Sequence, residues 1–377
     1  MHHYPLFRPL HLSAFLLFSF GIWPNNCPPT CAQDSFVERI RKRQDSNSDG
    51  KIAKSESTGL LKQNFGQVDT NGDGFADREE LQALARRFQA NRNRRKPNPN
   101  QPTVPENVEF QKDIPYRKGN ESWKLDLAMP RETGESPRPA LVFVHGGGWR
   151  GGDKSGGVWS GYPIHFAQKG YVCVSINYRL SQESPFPACL EDCKCAVRWL
   201  RAHAKKYNVD VKKIGAYGNS AGAHLVSMLG LVEKNRNLEG DGPYQEQSSL
   251  VQAVVPSATP ADFSVWAKAS LGVQGRLLAG DQSTLDDRAK KASPVSYARP
   301  NAPPFLIFHG TADRTVPLDQ GKRLEKALKA AGAKDVVLKI YDGAGHGVFR
   351  QHEKETLPLM EQFFDRHLRS PAANPSR

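Results

Sequence analysis

The chain has 377 residues, with 52 lysines and arginines against 39 aspartates and glutamates, for a formal charge of +13. Apolar residues make up 38% and aromatic residues 9%, enough for a packed core, which excludes wholesale disorder and collagen-like or coiled-coil architectures. No apolar run reaches the roughly 18 residues of a membrane span. The densest basic clusters, Arg41-Lys42-Arg43 and Arg92-Asn93-Arg94-Arg95-Lys96, have no interleaved aromatics and no accompanying nucleic-acid motif. They read as a soluble basic surface with no nucleic-acid partner.

Residues 1–9 contain Arg8 and no acidic residue. An apolar stretch from Leu10 to Trp23 follows, then a Pro/Asn-rich break and the small-residue site Thr30-Cys31-Ala32. This pattern predicts a secretory signal over 1–32, cleaved after Ala32, and a secreted or periplasmic protein with no stable membrane span after cleavage. An uncleaved anchor is the competing reading. Four cysteines would remain: Cys173, Cys189, Cys193 and Cys195. An even count in an exported chain permits disulfides, and spacing alone does not choose the pairing. Cys189 and Cys193, at i and i+4 of a helix, read more simply as small core residues.

An acidic module follows over 33–90. Two twelve-residue segments, Asp45 to Glu56 and Asp69 to Glu80, match the EF-hand calcium loop. Each has oxygen side chains at positions 1, 3 and 5, Gly at 6 and Glu at 12, because calcium takes six to eight hard oxygens and alternate loop positions point inward. The expected ligands are Asp45, Asn47, Asp49, the Lys51 carbonyl and Glu56 in the first loop. In the second they are Asp69, Asn71, Asp73, the Phe75 carbonyl, Asp77 and Glu80. Ala53 occupies position 9 of the first loop where the second has Asp77, so the second is expected to bind tighter. The pair reads as a small all-α module in which Ca2+ is structural, with docking of a partner as a further role. Residues 91–107, rich in Asn, Pro and Arg, predict a flexible linker.

From 108 to 370, apolar runs at 140–144, 171–176, 251–255, 305–308 and 336–340 predict buried strands, and 190–206 and 319–331 predict helices. This alternation argues for an α/β domain with a mainly parallel sheet and helices on both faces. Its ligands would bind at the carboxyl ends of the strands. Residues 371–377 read as a disordered tail.

Four features fall at those ends. Gly218-Asn219-Ser220-Ala221-Gly222 stands between an apparent strand and a helix, where a nucleophile on a sharp turn needs small neighbours two residues away on each side. His145-Gly146-Gly147-Gly148-Trp149 can aim bare N–H groups at a developing oxyanion. Asp313 follows the strand 305–308, and His346 lies in a loop after the last strand. Each has a plain alternative as a turn or surface residue. Together they present Ser220, Asp313 and His346 in the order Ser…Asp…His, with an oxyanion turn upstream.

With those residues the chain resembles the α/β-hydrolase family, in its acetyl-esterase, lipase and feruloyl-esterase-like branch. Trp149-Arg150-Gly151-Gly152-Asp153-Lys154, Asn177-Tyr178-Arg179-Leu180 and Ser293-Pro294-Val295-Ser296 support the resemblance, which covers roughly 110–370 and leaves out the acidic module. It implies an α/β-hydrolase fold and an exported serine carboxylesterase needing no cofactor for catalysis. The substrate implied is a small-molecule or polysaccharide ester with small acyl or aromatic-acyl groups. Ser220, His346 and Asp313 would be catalytic, and the N–H groups of Gly147, Gly148 and Ala221 the oxyanion hole. Two positions depart from the pattern: Asn219 precedes the serine where Asp, Glu or Gly is more usual, and Ala223 stands where a second Gly is common. Trp149, Trp159 and Trp266 are candidates for the acyl pocket. A prolyl-oligopeptidase-like peptidase would need a large propeller that the N-terminal residues cannot supply, and a non-catalytic calcium-dependent scaffold would be expected to lack part of this array.

Overall fold

The sheet is built from the apolar runs, because strands buried on both faces need side chains of one kind on either side. The computed structural model describes residues 37–84 except 39, 42, 43, 59, 60, 63 and 64, residues 103–266 except 133, and residues 277–369. The predicted leader, most of the predicted linker and the predicted tail therefore lie outside the described residues. The chain divides into two compact units, 1–98 and 99–377.

In the first unit two short strands, β1 (Ile52–Ala53) and β2 (Phe75–Ala76), pair antiparallel, with Ile52 opposite Ala76. A small core of Val37, Ile52, Leu61, Phe65, Val68, Ala76 and Leu81 closes over them, two of its members from helix α1 (Phe65–Val68).

The second unit carries an eight-stranded sheet of order β10-β9-β8-β7-β5-β6-β4-β3. Strands β5 (Arg138–Val144), β6 (Val172–Ile176), β7 (Val209–Asn219), β8 (Ala253–Ser257), β9 (Phe305–Gly310) and β10 (Val336–Tyr341) are parallel, as the apolar runs predicted. Two strands not singled out from sequence, β3 (Val108–Pro115) and β4 (Lys124–Pro130), add an antiparallel edge. Their residues are more mixed because β3 lies at the rim and needs only one apolar face.

Alternation along β5 separates the two cores. Ala140, Val142 and Val144 join the core packed under helices α3 (Ala188–Ala202), α4 (Ala221–Leu231) and α7 (Leu318–Ala330). Leu141 and Phe143 join the opposite core, under α2 (Val158–Gln168) and α9 (Glu353–Leu368). Between α4 and α7 lie the short helix α5 (Phe263–Trp266) and helix α6 (Leu285–Ala292), and α8 (Val348–Gln351) follows β10. Asn107, at the end of the predicted linker, accepts a hydrogen bond from the Arg131 backbone, and the Glu106 carbonyl accepts from the Arg131 side chain. That stretch is thus tied into the second unit. Among the described residues no helix is long and apolar enough to cross a membrane.

The four cysteines left open between disulfides and core packing are all free and buried. Burial pushes the thiol of Cys189 up to about 12, which suits a packing role rather than a reactive one.

Candidate active site

Ser220 sits between the end of β7 and the start of α4 with φ 56° and ψ −118°, backbone that a non-glycine residue rarely adopts. The turn is crowded: a β-carbon on Gly218 would lie 2.4 Å from the Gly222 backbone, and one on Gly222 would lie 2.0 Å from the Val144 carbonyl oxygen. Only glycine fits at either place, so the spacing read from sequence has a steric cause. The Ser220 N–H donates to the Ser257 carbonyl at 2.9 Å, anchoring the turn on β8. Asn219 donates to the same carbonyl at 3.3 Å. Its side chain helps hold the turn, which gives this departure a structural role.

Two further loops meet Ser220. The His346 ring places Nε2 at 2.9 Å from Ser220 Oγ and Nδ1 at 2.8 Å from Asp313 Oδ2. A carboxylate only accepts, so Nδ1 carries the proton and Nε2 is free to accept from the serine hydroxyl. The Asp313 side chain is fully buried. Its other oxygen accepts from the N–H groups of Thr315 and Val316, each at 2.9 Å. Burial opposes its charge, but the His346 hydrogen bond and these two N–H groups outweigh it and hold the carboxyl below its ordinary value.

The backbone fixes how these loops meet. The Ala312 N–H donates to the Ala344 carbonyl at 2.9 Å, and the Gly343 N–H to Thr311 Oγ1 at 2.8 Å. The loops after β9 and β10 are therefore stitched together just before Asp313 and His346.

The turn after β5 completes the group. A β-carbon on Gly146 would stand 3.4 Å from the Ser220 β-carbon, so the turn lies directly against the serine. Gly147 has φ 118°, open to glycine alone, and its carbonyl accepts from the Arg150 and Gly151 N–H groups. Among the described residues, the N–H groups of Gly147 and Gly148 meet no backbone carbonyl. Ala221, the first residue of α4, brings its N–H from the other side. His145 at the head of the turn is buried and stacked on Tyr178 at 4.4 Å, with burial lowering its pKa. Its Nδ1 lies 2.8 Å from the Gly146 carbonyl, so the ring braces the turn.

The three tryptophans separate. Trp149 is buried and packs with Phe263 and Trp266, at 5.7 and 6.4 Å between ring centroids. Trp159 instead packs against Tyr217 at 5.9 Å, with the opposite core. Sequence reading also passed over two buried histidines near the site. His224 follows Ser220 by one helical turn and bonds the Trp149 indole. His309 bonds the Val316 carbonyl at 2.9 Å, beside the Asp313 loop. Helical spacing from the serine was the one available signal for His224; nothing in the sequence marked His309.

The N-terminal loops give a mixed picture. Among the described residues no group of three or more His, Cys, Asp or Glu side chains gathers as a metal site. The acidic side chains instead turn onto their own loops: Asp49 accepts from Lys51 N–H, Asp73 from Phe75 N–H, and Asp69 from the N–H groups of Gly72 and Gly74. Glu56 accepts from Ser46 and Ala53, Glu80 from Thr70, Asn71 and Asp77, while the Asp77 carboxylate accepts from Glu80 N–H. Asn47 accepts from Asp49 N–H and Asn71 from Asp73 N–H. Asp45 Oδ1 is different: it is buried without a hydrogen-bond partner among the described residues. A cation would satisfy that oxygen, so the first loop fits the ion whose ligands include amide and main-chain oxygens as well as carboxylates.

The family model described as BD-FAE matches residues 125–328. Esterase LipC of Mycobacterium tuberculosis is 32% identical over 59% of this chain and 56% of its own length. The probable carboxylic ester hydrolase LipM of the same organism is 33% identical over 60% of this chain and 53% of its own. The chain thus spans about half the length of these curated relatives. Among solved structures, a truncated carbohydrate esterase from gut microbiota superposes with a TM-score of 0.63 at 27% identity, covering 72% of this chain and 98% of its own. Butyrate-bound esterase Est2 of Thermogutta terrifontis gives 0.57 at 28% identity, covering 69% and 94%.

Proposed function

The chain belongs to the BD-FAE family of α/β-hydrolase esterases, and from that membership we propose that it hydrolyses carboxylic esters with Ser220 as nucleophile. The observation that carries this reading is the unbroken line Ser220 Oγ, His346, Asp313, with contacts of 2.9 and 2.8 Å. Ser220 Oγ attacks the ester carbonyl carbon while His346 Nε2 takes the hydroxyl proton. Asp313 keeps the ring in the useful tautomer and stabilises the imidazolium. The N–H groups of Gly147, Gly148 and Ala221 receive the carbonyl oxygen as it gains charge. His346 then protonates the leaving alcohol, and water activated by the same ring releases the acid from Ser220.

The natural substrate in this reading is a small acyl or aromatic-acyl ester on a polysaccharide, met outside the cytoplasm once the leader over 1–32 has been removed. The gut carbohydrate esterase among its structural relatives supports the choice. The test is hydrolysis of a short-chain nitrophenyl ester and of acetylated and feruloylated polysaccharides by the wild type and Ser220→Ala. Ser220-dependent release of acetate or ferulate supports the proposal. Activity on simple esters alone would sink the polysaccharide part, and activity surviving Ser220→Ala would sink the nucleophile.

We also propose that the N-terminal unit holds calcium through Asp45, Asn47, Asp49, the Lys51 carbonyl and Glu56, and through Asp69, Asn71, Asp73, the Phe75 carbonyl, Asp77 and Glu80. The partnerless Asp45 oxygen supports this, as does the pairing of Ile52 with Ala76, the eighth residue of each loop. Calcium would neutralise the carboxylates and stiffen the paired loops. Ester cleavage does not run through it.

A further inference from the structure

Trp149 closes the glycine turn with φ 58°, a left-handed conformation unusual for a bulky residue, and it is buried. Something must hold it there, since such backbone is strained. Its indole N–H donates to Nδ1 of His224 at 3.2 Å. The other ring nitrogen of His224 lies 2.8 Å from the Ala292 carbonyl oxygen at the end of α6. An indole can only donate and a carbonyl can only accept, so His224 is neutral with its proton on Nε2. The ring is fully buried and packs edge-on against Phe263 at 5.0 Å between centroids.

His224 also belongs to the nucleophile's helix, where its N–H donates to the Ser220 carbonyl at 3.1 Å. The Trp149–His224 contact is, among the described residues, the only side-chain hydrogen bond joining the glycine turn to α4. Those two elements bring the two sets of N–H groups assigned to the oxyanion, Gly147 and Gly148 from one and Ala221 from the other. Val144 pairs with Gly218 where both elements begin, which fixes their near ends, and the Trp149–His224 bond ties the far end of the turn to α4.

We propose that His224 is a positioning residue for ester hydrolysis, holding Trp149 so that the two halves of the oxyanion hole keep the spacing the transition state needs. The inference rests on Ser220 being the nucleophile. A ground-state carbonyl oxygen gains little from the hole, whereas the charged oxygen of the tetrahedral intermediate depends on it. Loosening the turn should therefore lower kcat and leave KM nearly unchanged.

The experiment compares wild type, Ser220→Ala, Trp149→Phe, His224→Leu, His224→Gln and the double variant Trp149→Phe/His224→Leu. Each is assayed for kcat and KM on a short-chain nitrophenyl ester and for thermal midpoint. Removing a whole oxyanion donor costs about 100- to 1000-fold and misplacing one costs less, so His224→Leu and Trp149→Phe should each lose about 10- to 100-fold in kcat. KM should change by less than about threefold, the pattern of an interaction made in the transition state. The double variant should be no worse than either single one, because both break the same bond. His224→Gln, whose amide can accept from the indole and donate to Ala292, should recover most of kcat.

Multiplied losses in the double variant, or a His224→Leu enzyme with wild-type kcat, would overturn the proposal. So would a folded His224→Gln enzyme as slow as a Trp149→Phe enzyme. Should His224→Leu fail to fold, Trp149→Phe and His224→Gln still decide. If the wild type is inactive, or Ser220→Ala retains activity, it is the nucleophile reading that fails.

Discussion

His346 joins Ser220, 126 residues away in the chain, to Asp313, with its two ring nitrogens at 2.9 and 2.8 Å from them. In the proposed mechanism the ring takes the serine proton only in the tautomer that Asp313 imposes. An amide at 313 could donate to Nδ1 and move the proton to Nε2, where it blocks acceptance from Ser220. Asp313→Asn should therefore fold, because its carbonyl can still accept from Thr315 and Val316. Its kcat at neutral pH should fall by about four orders of magnitude. Steady-state kinetics beside a circular dichroism melt would check both statements.

Close approach makes Gly222 the least replaceable residue of the turn. A β-carbon there would meet the Val144 oxygen at 2.0 Å and the His145 oxygen at 2.8 Å, and backbone cannot move aside as a flexible side chain could. Gly222→Ala should cost about 3 kcal/mol or more and abolish activity. Gly161, inside α2, offers the contrast, since nothing lies within 4 Å of the added carbon. Gly161→Ala should raise stability by about 0.5–1 kcal/mol and leave kcat alone. Denaturant melts of the two variants would separate them.

A buried charge network should be equally unforgiving. Lys194 Nζ, fully buried, lies 2.6 Å from Glu239 Oε1 and also bonds Ser249 and the Val232 carbonyl, while Arg198 bonds the second Glu239 oxygen. Glu239→Ala would leave two buried cations without their anion, at a cost of about 3–5 kcal/mol. Replacing Lys194 by Met at the same time should cost less than Glu239→Ala alone. Equal losses for the single and double variants would contradict this account.

The acid limb of stability should carry the signature of His224. Burial pushes its pKa down to about 4, from an ordinary value of 6.5. Between these values the unfolded chain takes up a proton that the folded one refuses, so stability present above pH 6.5 is lost as pH falls towards 4. The single group accounts for about 3 kcal/mol across that window. Burial lowers His145 and His309 in the same direction. His224→Gln should flatten the curve of unfolding free energy against pH in this range.

Calcium should act on one unit only. In the full-length protein, adding calcium should raise the melting transition of the N-terminal unit, by about 2.7 kcal/mol when the ion is at 100 times its dissociation constant. Chelation should reverse this while leaving ester hydrolysis unchanged, and Asp45→Ala should weaken the response. Calorimetry with and without chelator, beside the nitrophenyl assay, would show it. A calcium-insensitive scan would remove the ion from the first unit.

The sequence was most legible where one residue type had a single physical use. Gly218 and Gly222 were read as small neighbours of a sharp turn, and both prove to be places where a β-carbon would collide with backbone. The apolar runs of β5, β6, β8 and β9 were visible because strands covered on both faces need continuous hydrophobicity, whereas β10, read as buried, lies at the edge of the sheet with Val337 and Ile340 exposed. Strand β3 was missed because an edge strand mixes polar and apolar residues, and β4 because Lys124 and Asp126 interrupt its apolar run. In the acidic loops, spacing shows which oxygens can face inward, and only the structure shows Asp49 and Asp73 accepting from the N–H groups of Lys51 and Phe75.

Sequence by itself pointed to the parallel sheet, to Ser220, Asp313 and His346 as candidates in that order, and to the glycine turn, because each depends on local conformation and residue chemistry. Tertiary structure alone decided which buried histidine does what. His224, His309 and His145 look alike in sequence, and their roles come from partners 68, 7 and 33 residues away. Packing across the fold sets the partners of His224 and His145, and the loop after β9 sets that of His309, and no local pattern in the chain encodes a hydrogen bond whose two ends meet only when the sheet has closed.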